Sequence, residues 1–399
     1  MKRFFKKNVL LKVFSFLLGT LFISFSFPSP PLTNIVMVLL VVISFLFANQ
    51  NFREVSLVSI LFIVFTLASL VSSFLFDEKL FTNQTTKVFY FLIIPLIFES
   101  KKLLKAVNTR TVLNYFIYAV CIFSFLGLIK VLLAFYLDLE SKISYQSLSQ
   151  YLKIHSTYFA LLTTIAFCFS VNFSLRIKNS LGEKIKYFLI STYLIFILCL
   201  LAVRIAFISS LLLMLIILIR ELLINKNKLG FVYIGLLFFS SFFIISDFGY
   251  SSIRIKNLFI NNQADRSDTE NRIVLWKNAY CAIENSPSQI LGAGLSNSQE
   301  LLNMCYEESN FFGLESEYNT HNQFLQTWLE TGYLGLFLFF AILFYLAYQA
   351  FRKNNYLLLL TLIIFVLFFS TESVLERQLG ITVFLSFSLL FLKKNPSLS

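Results

Sequence analysis

Residues 187–219 form a run of 33 residues with one charge, Arg204. A single helix of that length would extend about 50 Å at 1.5 Å per residue. The hydrocarbon core of a bilayer is only about 30 Å thick. Lys186 and Arg220 bound the run with charge of the same sign. Two crossings joined by a tight turn at Arg204 fit that pattern better than one. The rest of the chain agrees with a membrane setting. Of 399 residues, 57% are hydrophobic and 14% charged, against about 25% charged in an ordinary soluble domain. A soluble protein of this size needs a large polar surface, and this composition cannot supply one. A soluble enzyme, a disordered chain and a disulfide scaffold are therefore excluded. The chain reads as an all-α polytopic membrane protein.

About twelve transmembrane helices are expected, near 9–27, 33–48, 55–76, 80–98, 112–136, 154–174, 187–203, 205–219, 229–246, 333–351, 356–371 and 378–392. The bias of Lys and Arg between alternate loops sets their direction. With the N-terminus in the cytoplasm, the cytoplasmic segments hold 20 of the 33 basic residues, and the outer segments and spans share the other 13. Acidic residues divide 4 inside and 17 outside. The net charge of +12 is thus an orientation signal rather than a nucleic-acid footprint. Both termini are expected on the cytoplasmic side, with the working face on the outer side.

Three parts follow: transmembrane helices 1–9 over 1–246, one large helical periplasmic loop over 247–332, and transmembrane helices 10–12 with a cytoplasmic end over 333–399. The loop is the one long hydrophilic segment. Loops of this length are usually functional or disordered, and this one carries helical patterning. Ile273, Trp276 and Tyr280 fall at helical spacing, and Ser286 with Pro287 ends that segment. Gly292 and Gly294 mark a turn, and 321–329 again reads as helix running past Gly332. Cys281 and Cys305 both lie here; an oxidising compartment would allow them to pair, though spacing alone does not prove it. With two His and no CxxC, the sequence shows no metal framework and no cofactor is expected.

Arg204 stands between two apolar runs. Such an Arg is either functional or paired, its fork of donors suiting phosphate, or it snorkels to the membrane surface. His321 lies just above the tenth span, where a neutral imidazole can accept a proton; the alternative is a cap or surface role. Arg272 and Lys277 flank Trp276 and add positive charge on the same side, as does Arg266; each singly is equally well a solvated helix face. His155, at the start of the sixth span, either faces the same cavity or caps its helix. Glu372, Glu376 and Arg377, between the last two spans, form a structural ion-pair set or line the cavity.

The segment of His321 and Asn322, then nine residues, Gly332, two residues and Gly335 resembles the HNx9GxxG pattern of the O-antigen ligase family, which also includes many O-antigen and capsule polymerases. Other pieces fall in the same order. Arg204 and Ala206 open a span after a long apolar run, Arg272 precedes Trp276 by four residues, and Gly292 and Gly294 follow. The family often has Ser before the span Arg, where this chain has Val203. The resemblance implies a membrane glycosyltransferase that moves a glycan from undecaprenyl diphosphate to an acceptor sugar, with inversion and without a metal. It implies His321 as the base on the acceptor hydroxyl, Arg204 and Arg272 on the donor diphosphate, and Asn322, His155, Trp276, Arg377 and Glu372 about the substrates. The implied partners are the lipid-linked glycan donor, membrane lipid and an acceptor, either lipid A–core or another lipid-linked repeat.

Two readings compete with a ligase. A repeat-unit polymerase differs only in its acceptor. A lipid-linked glycan flippase would suit twelve spans, but should carry its charges along a central cavity and show an internal repeat; neither is visible.

Overall fold

The computed structural model describes residues 2–27, 29–48, 56–77, 82–137, 145–176, 179–224, 226, 230–231, 233–235, 269–311, 314 and 317–394. Among these, regular structure is helical throughout, apart from one isolated bridge between Ser288 and Gly292. The helices in chain order are α1 (Lys2–Ser24), α2 (Pro30–Ala48), α3 (Leu57–Phe76), α4 (Asn83–Val88), α5 (Tyr90–Glu99), α6 (Lys101–Ala106), α7 (Thr109–Tyr136) and α8 (Tyr145–Leu152). They continue as α9 (Ser156–Leu175), α10 (Leu181–Leu201), α11 (Arg204–Ile219), α12 (Thr269–Glu284), α13 (Asn297–Glu308), α14 (Gln323–Arg352), α15 (Tyr356–Phe369) and α16 (Gln378–Lys393).

Six helical stretches among the described residues are long and apolar enough to cross a membrane: α3, α7, α9, α10, Arg204–Leu223 and α14. Four shorter apolar stretches, Val9–Ser24, Pro30–Leu46, α15 and α16, accompany them. The protein is therefore an all-helical membrane protein, and the structure does not carry the full count of twelve. The fourth expected span is divided at Phe89 into α4 and α5, with Pro95 inside the second. Most of the ninth, 229–246, lies outside the described residues. The long run around Arg204 is two helices. Ala202 sits in the left-handed region (φ 51°) and closes α10 by donating its N–H to the Cys199 carbonyl, and Arg204 then opens α11.

The chain divides into two compact units. The first comprises 1–17, 34–109 and 266–399, and the second 18–33 and 110–265. Within the second, α9 packs against α10 and α11. It is buried on nearly its whole circumference, as expected for a helix apolar all round. Within the first, α14 packs against α3 and α15, while α16 packs against α5 and α15. A buried ion pair between Glu99 and Lys393 (3.0 Å) ties α5 to the end of α16. Ser56 and Ser59 donate to the same Glu99 carboxylate at 2.6 and 2.5 Å.

The cap helices of the first unit have their own core. Leu275, Ala279, Ala282 and Ile283 of α12 meet Leu302, Cys305 and Tyr306 of α13 and Leu325 and Leu329 of α14. The buried stripe of α12 therefore differs from the Ile273 and Tyr280 spacing read in the sequence. Ile273 and Tyr280 are about half exposed. A helix offers several faces at the same spacing, and the partners α13 and α14 select this one. Cys281 and Cys305 are joined as a disulfide between α12 and α13, with Cα atoms 6.2 Å apart.

Candidate active site

Helix α14 passes through a kink at Gly332 (φ 61°, ψ −162°). That backbone conformation excludes a side chain. The strap 288–294 crosses α14 here, backbone against backbone. Ala293 and Gly294 donate their N–H groups to the carbonyls of Leu329 and Glu330 (2.8 and 3.1 Å). Tyr333 and Leu334 donate to Gln289 and Ile290 (2.9 and 3.1 Å). A Cβ on Gly292 would lie 2.5 Å from the Gly332 and Thr331 nitrogens. At Gly335 a Cβ would overlap the Thr331 hydroxyl. The two glycines after His321 and Asn322 thus serve the crossing and the packing of α14.

Asn322 is the N-cap of α14. Its Oδ1 accepts from the N–H groups of Phe324 and Leu325 at 2.9 and 3.2 Å, which satisfies two donors the helix leaves open. Its Nδ2 donates to the Ser370 carbonyl (3.3 Å) and its backbone N–H to the Ser373 hydroxyl (3.2 Å). The side chain is thereby engaged in fixing the start of the helix. His321 precedes it in the left-handed region (φ 46°), with its N–H donated to Asn319 Oδ1 at 3.0 Å. The Tyr318 ring stands edge-on to the imidazole, centroids 5.6 Å apart. Local bonds therefore hold His321 where no regular helix or strand would place it.

The centre of the site is Glu372. Its Oε2 lies 3.0 Å from His321 Nδ1, and its Oε1 accepts from Arg272 Nη2 at 3.0 Å. The carboxylate is 13% exposed, His321 27% and Arg272 32%. An ionised carboxylate only accepts hydrogen bonds. Nδ1 of His321 is then the donor, and the neutral ring carries its lone pair on Nε2. A base held by a carboxylate in this way is oriented as well as placed. Arg272 and His321 thus meet opposite oxygens of the one carboxylate.

Trp276, one turn along α12 from Arg272, packs on the cap core, and its indole N–H has no partner among the described residues. Lys277 is exposed on the same helix. Arg377 is exposed at the N-cap of α16, and Arg266 lies outside the described residues. Glu376 pairs with Lys87 at 3.0 Å, so the hairpin between α15 and α16 serves two clusters. Arg204 and His155 belong to the second unit. Arg204 opens α11 there, and exposed His155 occupies the N-cap position of α9, its ring 6.2 Å from that of Tyr158. The structure brings together His321, Glu372 and Arg272, with Asn322 adjoining.

The sequence offered no signal for Lys87, Ser373 or Gln326. The Ser373 hydroxyl bridges Thr320 (3.2 Å) and the Asn322 N–H, and Gln326 Oε1 accepts from the Thr320 N–H at 3.2 Å. One group of three metal-type ligands occurs among the described residues, Cys281, Cys305 and Glu308, and there both sulfurs are spent on the disulfide.

Residues 189–340 match the family model described as O-antigen ligase. The matched segment spans Arg204, Arg272 and the His321 to Gly335 motif, and stops short of Glu372. This match supports the O-antigen ligase/polymerase family for the chain, whose members are glycosyltransferase-like enzymes. No curated protein matches the sequence.

Proposed function

We propose, on the premise of that family, that the protein is an O-antigen ligase-like glycosyltransferase. It moves a glycan from undecaprenyl diphosphate to a hydroxyl of an acceptor sugar on lipid A–core, at the periplasmic face of the inner membrane. The observation that carries the reading is the Arg272, Glu372 and His321 cluster, a base and a cation on one carboxylate.

In this reading Nε2 of His321 takes the proton of the acceptor hydroxyl. The oxygen attacks the anomeric carbon from the face opposite the diphosphate. The bond from that carbon to the phosphate oxygen breaks, its electron pair leaves on the diphosphate, and the configuration inverts. Arg272 faces the departing charge, and Arg204 joins it on the strength of the sequence resemblance alone. Stabilising the leaving group is usually the larger contribution, with the base adding about 10²–10⁴-fold. Glu372 stabilises the imidazolium as it forms. His155, Trp276 and Arg377 are assigned to the substrates' surroundings, and Asn322 to holding His321 in place.

The test uses cells lacking the gene, complemented with wild type or His321→Ala at matched membrane levels. Surface polysaccharide and lipid-linked intermediates are then separated on gels. Loss of the protein, or of His321, is expected to leave lipid A–core bare while full-length polymer gathers on undecaprenyl diphosphate. Accumulation of single repeats would assign a polymerase instead. Wild-type behaviour of His321→Ala would remove the site assignment.

A further inference from the structure

The first unit holds a partly open cavity of about 30 Å³. That is room for about two waters. Lys87, Gln84, Gln323, Thr327, Glu330 and Glu376 supply its polar wall. Lys87 is the last-turn cation of α4. Its Nζ donates twice to one residue, to the Glu376 carbonyl at 2.7 Å and to Glu376 Oε2 at 3.0 Å. Both side chains are largely buried, at 17% and 14% exposure.

Glu376 ends a short 3-10 turn, Val374–Glu376. Glu372 lies two residues before it, and the Val374 N–H donates to the Glu372 carbonyl at 3.0 Å. The front of this hairpin is held by α14 and the residues preceding it, through the Ser373 hydroxyl and through Gln323 Oε1, which accepts from the Leu375 N–H at 2.7 Å. The rear is held by α4, through Lys87. That helix is itself fixed to the cap, because Thr82, its N-cap, meets the Ser296 hydroxyl at 2.7 Å. Lys87 touches neither His321 nor Arg272 in any contact described above, and reaches them only along the hairpin.

We propose, resting on the function above, that Lys87 is a positioning residue for the transfer: by clamping Glu376 it fixes the turn that presents Glu372 to His321 and Arg272. Without the ammonium, the cavity would hold two carboxyl groups, Glu330 and Glu376, and no cation. Glu376 would keep its neighbour Glu330 but lose its cation, and a largely buried carboxylate without a cation is unfavourable, so the turn shifts to bring Glu376 toward water. A displacement of about 1 Å at a catalytic contact costs up to about 100-fold in rate.

The experiment uses purified full-length protein in lipid nanodiscs. Its donor is undecaprenyl-diphosphate-linked glycan extracted from cells lacking the gene, its acceptor is lipid A–core from the same cells, and released undecaprenyl diphosphate is followed. Lys87→Met is expected to lower kcat about 10- to 100-fold, with donor KM and the fraction folded unchanged, and Lys87→Arg to regain most of the rate. In a Glu372→Gln background Lys87→Met is expected to lower the rate less than about twofold further, because the clamp acts through Glu372. Wild-type kcat in Lys87→Met, or an undiminished loss in the Glu372→Gln background, overturns the proposal. If Lys87→Met does not accumulate, Glu376→Gln is measured instead, with about a tenfold loss in kcat expected and wild-type kcat refuting. His321→Ala separates the two levels. If it is inactive while Lys87→Met behaves as wild type, only the clamp fails; if it is fully active, the transfer mechanism fails with it.

Discussion

Glu372→Gln tests the site at its centre. The substitution keeps the shape and removes the charge. Two charge-assisted hydrogen bonds at 3.0 Å are weakened together, one to His321 and one to Arg272. Such bonds are worth about 1.5–3 kcal/mol each when well formed. His321 and Arg272 are about a quarter to a third exposed, and solvent brings that figure down, so the fold should lose only roughly 2 kcal/mol. The effect on rate is larger. An amide at 372 can donate to Nδ1 as well as accept from it, which allows the tautomer with its proton on Nε2 and no base facing the acceptor. Nothing then balances the imidazolium. The base is worth about 10²–10⁴-fold, or about 3–5.5 kcal/mol at 1.36 kcal/mol per tenfold. Donor binding moves the other way, because Arg272 is released from its carboxylate and its charge faces the diphosphate uncompensated. The expected signature is kcat lower by about 10²–10⁴-fold with donor KM unchanged or reduced, measured with the reconstituted assay at matched folded protein. A kcat within about threefold of wild type would refute the orienting role. A raised KM at constant kcat would make Glu372 a substrate contact instead.

Three further perturbations probe what holds the site. Gly332→Ala places a Cβ against the Ile290 carbonyl at a positive φ, so the strap should separate from α14; activity below about a tenth and new protease cutting within 288–294 are expected, and an intact, active variant would contradict the crossing. Cys281→Ser with Cys305→Ser opens a link of sequence separation 24; chain-entropy arguments put the loss at about 3 kcal/mol, to be read as a lower denaturant midpoint for the cap in oxidising buffer. Tyr306 is buried in the cap, and burial pushes its phenol above the ordinary 10.0; its hydroxyl donates to the Tyr318 carbonyl at 3.1 Å. The unfolded chain then releases a proton that the folded one keeps, so cap stability should be whole below pH about 10 and fall as pH rises beyond it. Tyr306→Phe should flatten that slope in thermal unfolding between pH 9 and 11.

The parts of this molecule legible in its sequence are those written locally. The charge of Arg204 within 33 apolar residues marks a helix break because no single helix of that length fits a bilayer. The structure puts the break at Ala202 and Val203. His321, Asn322, Gly332 and Gly335 lie within 15 residues, and the pattern they share with the O-antigen ligase family singles them out. Their physical reasons became plain only with the strap in view, because Gly332 is required by backbone 40 residues upstream, at Gly292. Glu372 stood as one of three acidic and basic residues with two open readings. Its partners lie 51 and 100 residues away in the chain, and no periodicity spans such distances. Lys87 is further still, 289 residues from Glu376, and as a cation beside an apolar segment it reads as an ordinary flank. The choice of buried face on α12 has a related cause. Its sequence fits a helix, but burial of Leu275 over Ile273 is decided by α13 and α14, which the local pattern does not contain. Local patterning therefore located His321 and the helix that follows it. Glu372, which meets its ring, and Lys87, which pairs with Glu376 on the adjoining turn, come from segments brought close only by packing of the first unit.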